Sequence, residues 1–558
     1  MHLRRVALTL LLTLIALPDG STAEDAPAAG GGTSEAGRND EPRARSYADD
    51  DAPLIHGQLA LSLADAIKMG LQNNLDVQVQ RYAPIIADHD VSIAEGAFDP
   101  RAFAEFGYTD IKRPNSNVLF GTDETSNRLT DGIGGLRGQL PVAGTEYSAQ
   151  FDGGRATTNS SIQALSPELT SSWSLNLTQP LLKDLIWNQP WTQVRTSRIL
   201  MESSSENFRS AVMDTVSSIE AAYWALIAEA DAARVARKSL ETAAALLDQT
   251  KTQFEVGVVS KVEVTEAEAG LSQREVNLIR AENAYRNQQD VLIDLVMGPG
   301  LKSSSTLEIH PTDQPQEYVP YEIDVETAVE RAFEARPELA SARKEIERQK
   351  IQLKFAKNQR LPELDAIFSF GQAGLAGDQS PRFDPCRFSQ DPGCDPDAID
   401  VGQGNWDKSF DDYSDSPQFT ARGRFSLPLP NTSARHAVSK TELELRRART
   451  QKKRLEQTII LEVRRAARNL EASQEAIDAA RDAERAAQEQ LRAERIRLEY
   501  GESTPFDVLQ REEDLVDREN ELIGAFQAYR TSVTALDRAQ GTILRNRNIK
   551  IAEVSALR

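Results

Sequence analysis

Apolar residues recur along this chain with two periods, and the switch between them divides it into elements. Val212, Val216, Ile219, Tyr223, Leu226, Ala230 and Ala233 step by alternating fours and threes, and Leu240, Ala244 and Leu247 stay in phase after a break at Arg237. Ile459, Val463, Ala466, Leu470, Ser473, Ile477 and Ala480 repeat these steps, with Ser473 as the one polar member. Such spacing predicts coiled-coil seams on long helices. Partner helices follow: Val264, Leu271, Leu278, Tyr285 and Leu292 recur every seven residues, and Leu515, Leu522, Phe526, Tyr529, Val533 and Leu536 form the corresponding stripe. A helix from near Pro190 to Gln253 would be about 95 Å long. A hairpin of that length, with small residues along its seam, must pack sideways against others.

Ahead of the helices the period falls to two, the signature of strands with chemically different faces. In "SSWSLNLTQ", Trp173, Leu175 and Leu177 oppose Ser172, Ser174, Asn176 and Thr178; in "QFTARGRFSLPL", Phe419, Ala421 and Phe425 oppose Thr420, Arg422, Arg424 and Ser426. "ELDAIFSF" is expected to open the hairpin that "QFTARGRFSLPL" closes, and "RAFAEFGYTD" to do the same for "SSWSLNLTQ". Strands of this kind suit a half-buried soluble sheet and equally a membrane barrel. "LRGQLPVAGTEYSAQF", turning near Ala143 and Gly144, is an additional candidate hairpin, either in that sheet or folded over it.

These elements occur twice. "LSQREVNLIRAENAYR" from Leu271 returns as "LVDRENELIGAFQAYR" from Leu515, 244 positions on, and "ADAIKMGLQNNLDV" from Ala64 corresponds to "ETAVERAFEARPEL" from Glu326, 262 positions on. A repeat of half a chain is a duplicated module rather than a solenoid unit. The change of offset places a net difference of 18 residues between the two blocks. The expected organisation is a signal peptide at 1–23, a disordered linker at 24–57, a first repeat at 58–310, an equatorial linker at 311–324, a second repeat at 325–545 and a tail at 546–558. The opening helices are expected over about Ser62 to Ala94 and Val325 to Asn358.

Composition narrows the function. The 558 residues carry a net charge of −21, which counts against nucleic acid as a partner. Arg4 and Arg5, the apolar run from Val6 to Leu17, and Ser21-x-Ala23 read as a secretory signal. No later segment reaches the roughly 20 apolar residues of a membrane-spanning helix, and no Cys directly follows the cleavage site, which counts against an N-terminal lipid anchor. Cys386 and Cys394 are the only cysteines, and in an exported protein they suggest a disulfide closing a small loop, with free thiols or a metal site as alternatives. HExxH, GxxxxGK[ST] and GxSxG are absent and the histidines are scattered, so neither an enzyme, a metal site nor a cofactor is expected.

The long helices of each copy meet at "FEVGVVSKVEVTEAE" and "LEYGESTPFDVLQRE". Gly257 and Gly501 can end a helix in the left-handed conformation, and Ser260, and Ser503 or Thr504, can cap the next. These turns, the diverged "SLADAIKMGLQNN" opening, "LNLTQPLL" before a long helix and G-x(4)-[FV]-[DE]-V resemble the TolC family of outer-membrane efflux proteins, over about Leu61 to Gly541.

The resemblance implies an α+β membrane protein: a homotrimer in which each chain gives four strands to a twelve-stranded outer-membrane β-barrel and long helical hairpins to a periplasmic α-barrel. It implies a passive efflux or type I secretion duct, in contact with outer-membrane lipid and working with a periplasmic adaptor and an inner-membrane transporter. The tips, with Gly257, Val258, Ser260, Gly501, Ser503 and Thr504, would meet the adaptor. Asp507 matches an acidic residue that rings the closed entrance, the alternative being a first-turn helix residue favoured by the helix dipole. Gln510, Leu498 and Ser503 stand where the family's other gate residues would be, so the rest of the latch does not carry over. A periplasmic coiled-coil scaffold without a barrel is the competing reading.

Overall fold

The computed structural model describes residues 56–115, 122–298, 306–314, 320–384, 386, 392–394, 404–411, 413 and 417–551. The signal peptide and nearly all of the lead-in read from the sequence lie outside them. Each copy opens with two helices rather than one: α1 (Leu63–Asn73) and α2 (Leu75–Glu95) in the first, α5 (Val325–Ala335) and α6 (Pro337–Gln359) in the second. The chain is extended at Asn74 and Arg336, which breaks both helices. Asn74 accepts the Val77 amide and starts α2, while Pro337, at the first helical position of α6, has no amide proton for Ala-rich α5 to use.

The long helices are α3 (Gln189–Glu255), α4 (Lys261–Met297), α8 (Thr432–Glu499) and α9 (Pro505–Gln540). Val212, Val216, Ile219, Tyr223 and Leu226 are buried, as are Ile459, Val463, Leu470 and Ile477, so the alternating steps do mark the seams. Ser473 is tolerated there because its hydroxyl donates to the Leu470 carbonyl at 2.9 Å. In one level α2, α3, α6 and α8 lie side by side; in the other the order is α4, α3, α9, α8. Midway, β1 (His56–Leu61) and β6 (Thr306–Pro311) pair in parallel, and the Tyr223 hydroxyl donates to the Leu61 carbonyl at 2.9 Å. The chain then closes on itself: beyond α10 (Ile543–Asn546), Arg547 binds Glu220 of α3.

The remaining strands form one antiparallel sheet in the order β2 (Arg101–Pro114), β3 (Glu124–Gln139), β4 (Glu146–Thr158), β5 (Leu165–Pro180), β7 (Glu363–Gln379), β8 (Pro417–Ser426). This corrects the sequence reading twice. Among the described residues the sheet has six strands rather than four, and "RAFAEFGYTD" does not pair with "SSWSLNLTQ", because β3 and β4 stand between them. The additional hairpin is therefore part of the sheet. Its turn is Leu140–Thr145, where Gly144 adopts φ +62° with the Asp184 carbonyl 2.4 Å from where a Cβ would sit.

Candidate functional site

In a sheet, directly paired residues share a face, so the register sorts every side chain. Phe106, Leu136, Phe151, Trp173, Phe370 and Phe419 lie on one face, with Trp173 and Phe370 edge to face at 5.5 Å. Much of this face is exposed, and five Phe or Trp rings and a leucine in one continuous row would not stay in water unpaired. Charge bounds the row at one end, where Arg128 pairs with Asp110 at 3.2 Å. At the helical end Trp187 lies under Arg195 and Lys354, at 4.7 and 5.4 Å from the ring centre. Aromatic girdles with charge beyond them are what the two edges of a bilayer require.

The opposite face is polar and concave. It curves around a groove of about 970 Å³ lined by Glu105, Asp131, Asp152, Ser172, Leu375 and Gln418, one residue from each strand. Between β7 and β8, Cys386 and Cys394 are joined by a disulfide, and the short helix α7 (Trp406–Asp411) lies on the apolar face, with Phe410 on Phe151 at 5.7 Å. Ser171 donates to the Ser409 carbonyl beneath it at 3.2 Å.

At the other end of the molecule stand the two tips. Gly257 and Gly501 have φ of +81° and +74°, and a Cβ at either would meet nothing within 4 Å, so backbone conformation alone selects glycine there. Ser260 accepts the Glu263 amide and Glu263 accepts the Ser260 amide, both at 3.4 Å. Thr504, rather than Ser503, caps α9. It accepts the Asp507 amide at 3.3 Å, while the Asp507 carboxylate accepts the Thr504 amide at 3.2 Å and hydroxyl at 2.7 Å. Those bonds from Thr504 hold the Asp507 carboxyl below the usual carboxylate range. Ser503 instead donates to Glu494 at 2.6 Å.

Val258 is exposed, and so are Val256, Val262, Tyr500 and Phe506, which the sequence reading did not assign to the adaptor contact. The signal was there: apolar residues crowd both turns outside any seam register. Just behind the tips, Ala243, Leu246, Leu491, Val508 and Leu509 form a small core joining the hairpins. Buried Arg274 of α4 crosses it and donates to the Leu509 carbonyl at 2.8 Å, with Gly270 making room for the Leu509 side chain. Its duplicate, Arg518, pairs with exposed Glu521 at 2.6 Å, so the copies diverge here.

The profile of the family described as outer membrane efflux protein matches residues 144–296 and 328–542. The chain belongs to that family. Among solved structures, this efflux protein is similar to the CmeC outer membrane channel of Campylobacter jejuni, at 15% identity and a TM-score of 0.59 over 88% of each chain. CusC matches at 13% identity and 0.61 over 86% of this chain and 92% of its own. VceC of Vibrio cholerae matches at 16% and 0.58, over 86% and 96%. At such identities these likenesses establish the fold. No curated protein matches by sequence. As a family member the protein is a transport channel of the outer membrane that extends into the periplasm. Among the described residues no helix is long and apolar enough to span a membrane.

Proposed function

We propose that three copies assemble into a passive exit duct, conducting substrates received through a periplasmic adaptor from an inner-membrane pump. The observation that carries this reading is how residues 56–551 divide into faces and edges, as a stave does. The chain has a polar concave side, an apolar outer side, and edges left open at both levels: β2 with α2 on one side, β8 with α8 on the other. The α2 edge exposes Leu75, Val79, Tyr82, Ile86 and Ile93 at coiled-coil spacing, a seam without its partner in a single chain. The exposed valines and aromatics of the tips suit an adaptor's apolar contact, and no reacting group is needed anywhere. Membrane fractionation and planar-bilayer recording test this: a trimer that conducts in the outer-membrane fraction is expected, and a soluble, non-conducting monomer would sink it.

Asp507 would supply one carboxylate per chain to a ring at the tip entrance, favouring cations and open to block by them. Its lowered pKa keeps that charge at neutral pH and some way into acid. Asp507→Ala is expected to reduce cation selectivity and weaken block by multivalent cations. In the unsubstituted protein, block should survive until pH falls below the range where an ordinary aspartate titrates. If selectivity and block are the same in Asp507→Ala, the residue serves only to cap α9.

A further inference from the structure

The sheet carries two strands more than the duplicated module accounts for. β2 and β5 are the counterparts of β7 and β8, and β3 and β4 stand between the first two as full members. The β2–β3 ladder runs unbroken from Arg101↔Arg137 to Pro114↔Glu124, and the β4–β5 ladder from Glu146↔Thr178 to Ala156↔Glu168. The inserted strands keep the alternation of their neighbours, with Leu136, Tyr147 and Phe151 on the apolar face and Asp131, Gln150 and Asp152 on the polar one. A plug or lid would not share its register and face polarity with the wall.

Within the described residues β2 and β8 are the two ends of the sheet, and neither pairs with the other. β2 leaves the helices and β8 returns to them, so β8 of one copy meets β2 of the next antiparallel, like every other joint in the sheet. Six strands are too few to enclose a channel, since about eight only just hold their own side chains.

Resting on the trimeric duct above, we propose that three copies close into one barrel of eighteen strands with a correspondingly wide pore. Perimeters agree with this number. Strands about 4.8 Å apart and tilted by roughly 40° each take up about 6 Å, or roughly 110 Å for eighteen. Four helices per chain at each level make twelve, and at about 9 Å apart they also need roughly 110 Å. Twelve strands would supply only about 75 Å. With six strands per chain the barrel and the helical tube match in width where they join.

A single-particle reconstruction of the purified full chain in detergent or nanodiscs counts the strands directly. Eighteen in a trimer is the expected result. A conducting trimer with a twelve-stranded wall, or chains each closed on themselves, overturns this proposal and leaves the duct intact. A non-conducting monomer removes the duct reading and this proposal with it. Polymer exclusion from the outer mouth gives a second measure. Replacing residues 116–163 with a short Gly/Ser turn rejoins β2 to β5 and leaves four strands per chain. Because barrel diameter grows about linearly with strand number, the largest polyethylene glycol admitted should shrink to about two thirds of its radius. An unchanged cut-off would place β3 and β4 outside the pore wall and overturn the proposal.

Discussion

Replacing Arg547 with Met is expected to destabilise the protein by about 3–5 kcal/mol, the usual cost of stranding one partner of a buried ion pair. Glu220, fully buried on α3, accepts two bonds from the Arg547 guanidinium at 2.6 and 2.8 Å. The Thr534 hydroxyl is its other partner. Without the guanidinium the carboxylate would keep only that hydroxyl. The same arginine lies 3.8 Å from Asp537 of α9, whose pKa burial already pushes up. Thermal unfolding in detergent measures the loss. The double variant Glu220→Leu, Arg547→Met should recover most of it, since an apolar pair of similar size carries no unmet charge. If the double variant is as unstable as the single one, packing rather than the ion pair holds the C-terminal segment to α3.

The second large effect lies in the sheet. Leu175→Arg puts a charge into the row with Trp173 and Phe370, where lipid is expected, and should cost about 2–4 kcal/mol if the site is near the bilayer midplane. Asn176→Arg, one residue along and on the opposite face, should cost far less and shift ion selectivity instead. Heat resistance of the assembled protein on gels, with bilayer recording, separates the two. Equal tolerance of both would mean that neither face meets lipid.

The helical half of the molecule was legible because burial follows a simple period there. Positions such as Ile219, Leu226, Val463 and Ile477 sit inside as their spacing predicts. The breaks at Asn74 and Arg336 were harder to read, since apolar periodicity continues across them. The strand count was missed for a physical reason. β3 is rich in glycine and polar residues, "SNRLTDGIGGLRG", so its alternation is faint in sequence and becomes plain only once Leu136 and Gly134 are paired with Ala149 and Phe151. The 18-residue difference between copies also concealed it, because the second copy spends a comparable length on the segment between β7 and β8. At the tips, sequence located the turns and caps, but Arg274 gave no sign of its role. Its counterpart Arg518 is likewise followed by a glutamate, yet it is only half-buried and bonds Glu521 on its own helix.

In the proposed duct that arginine would limit how the entrance moves. If α9 swung away alone, the bond from Arg274 to the Leu509 carbonyl would break, leaving the buried guanidinium only the Gly270 carbonyl of its own helix. If α4 and α9 travel as one body, the bond is kept. The two hairpins of a chain are thus geared to each other, and the duct proposed above would have three moving leaves at its mouth rather than six.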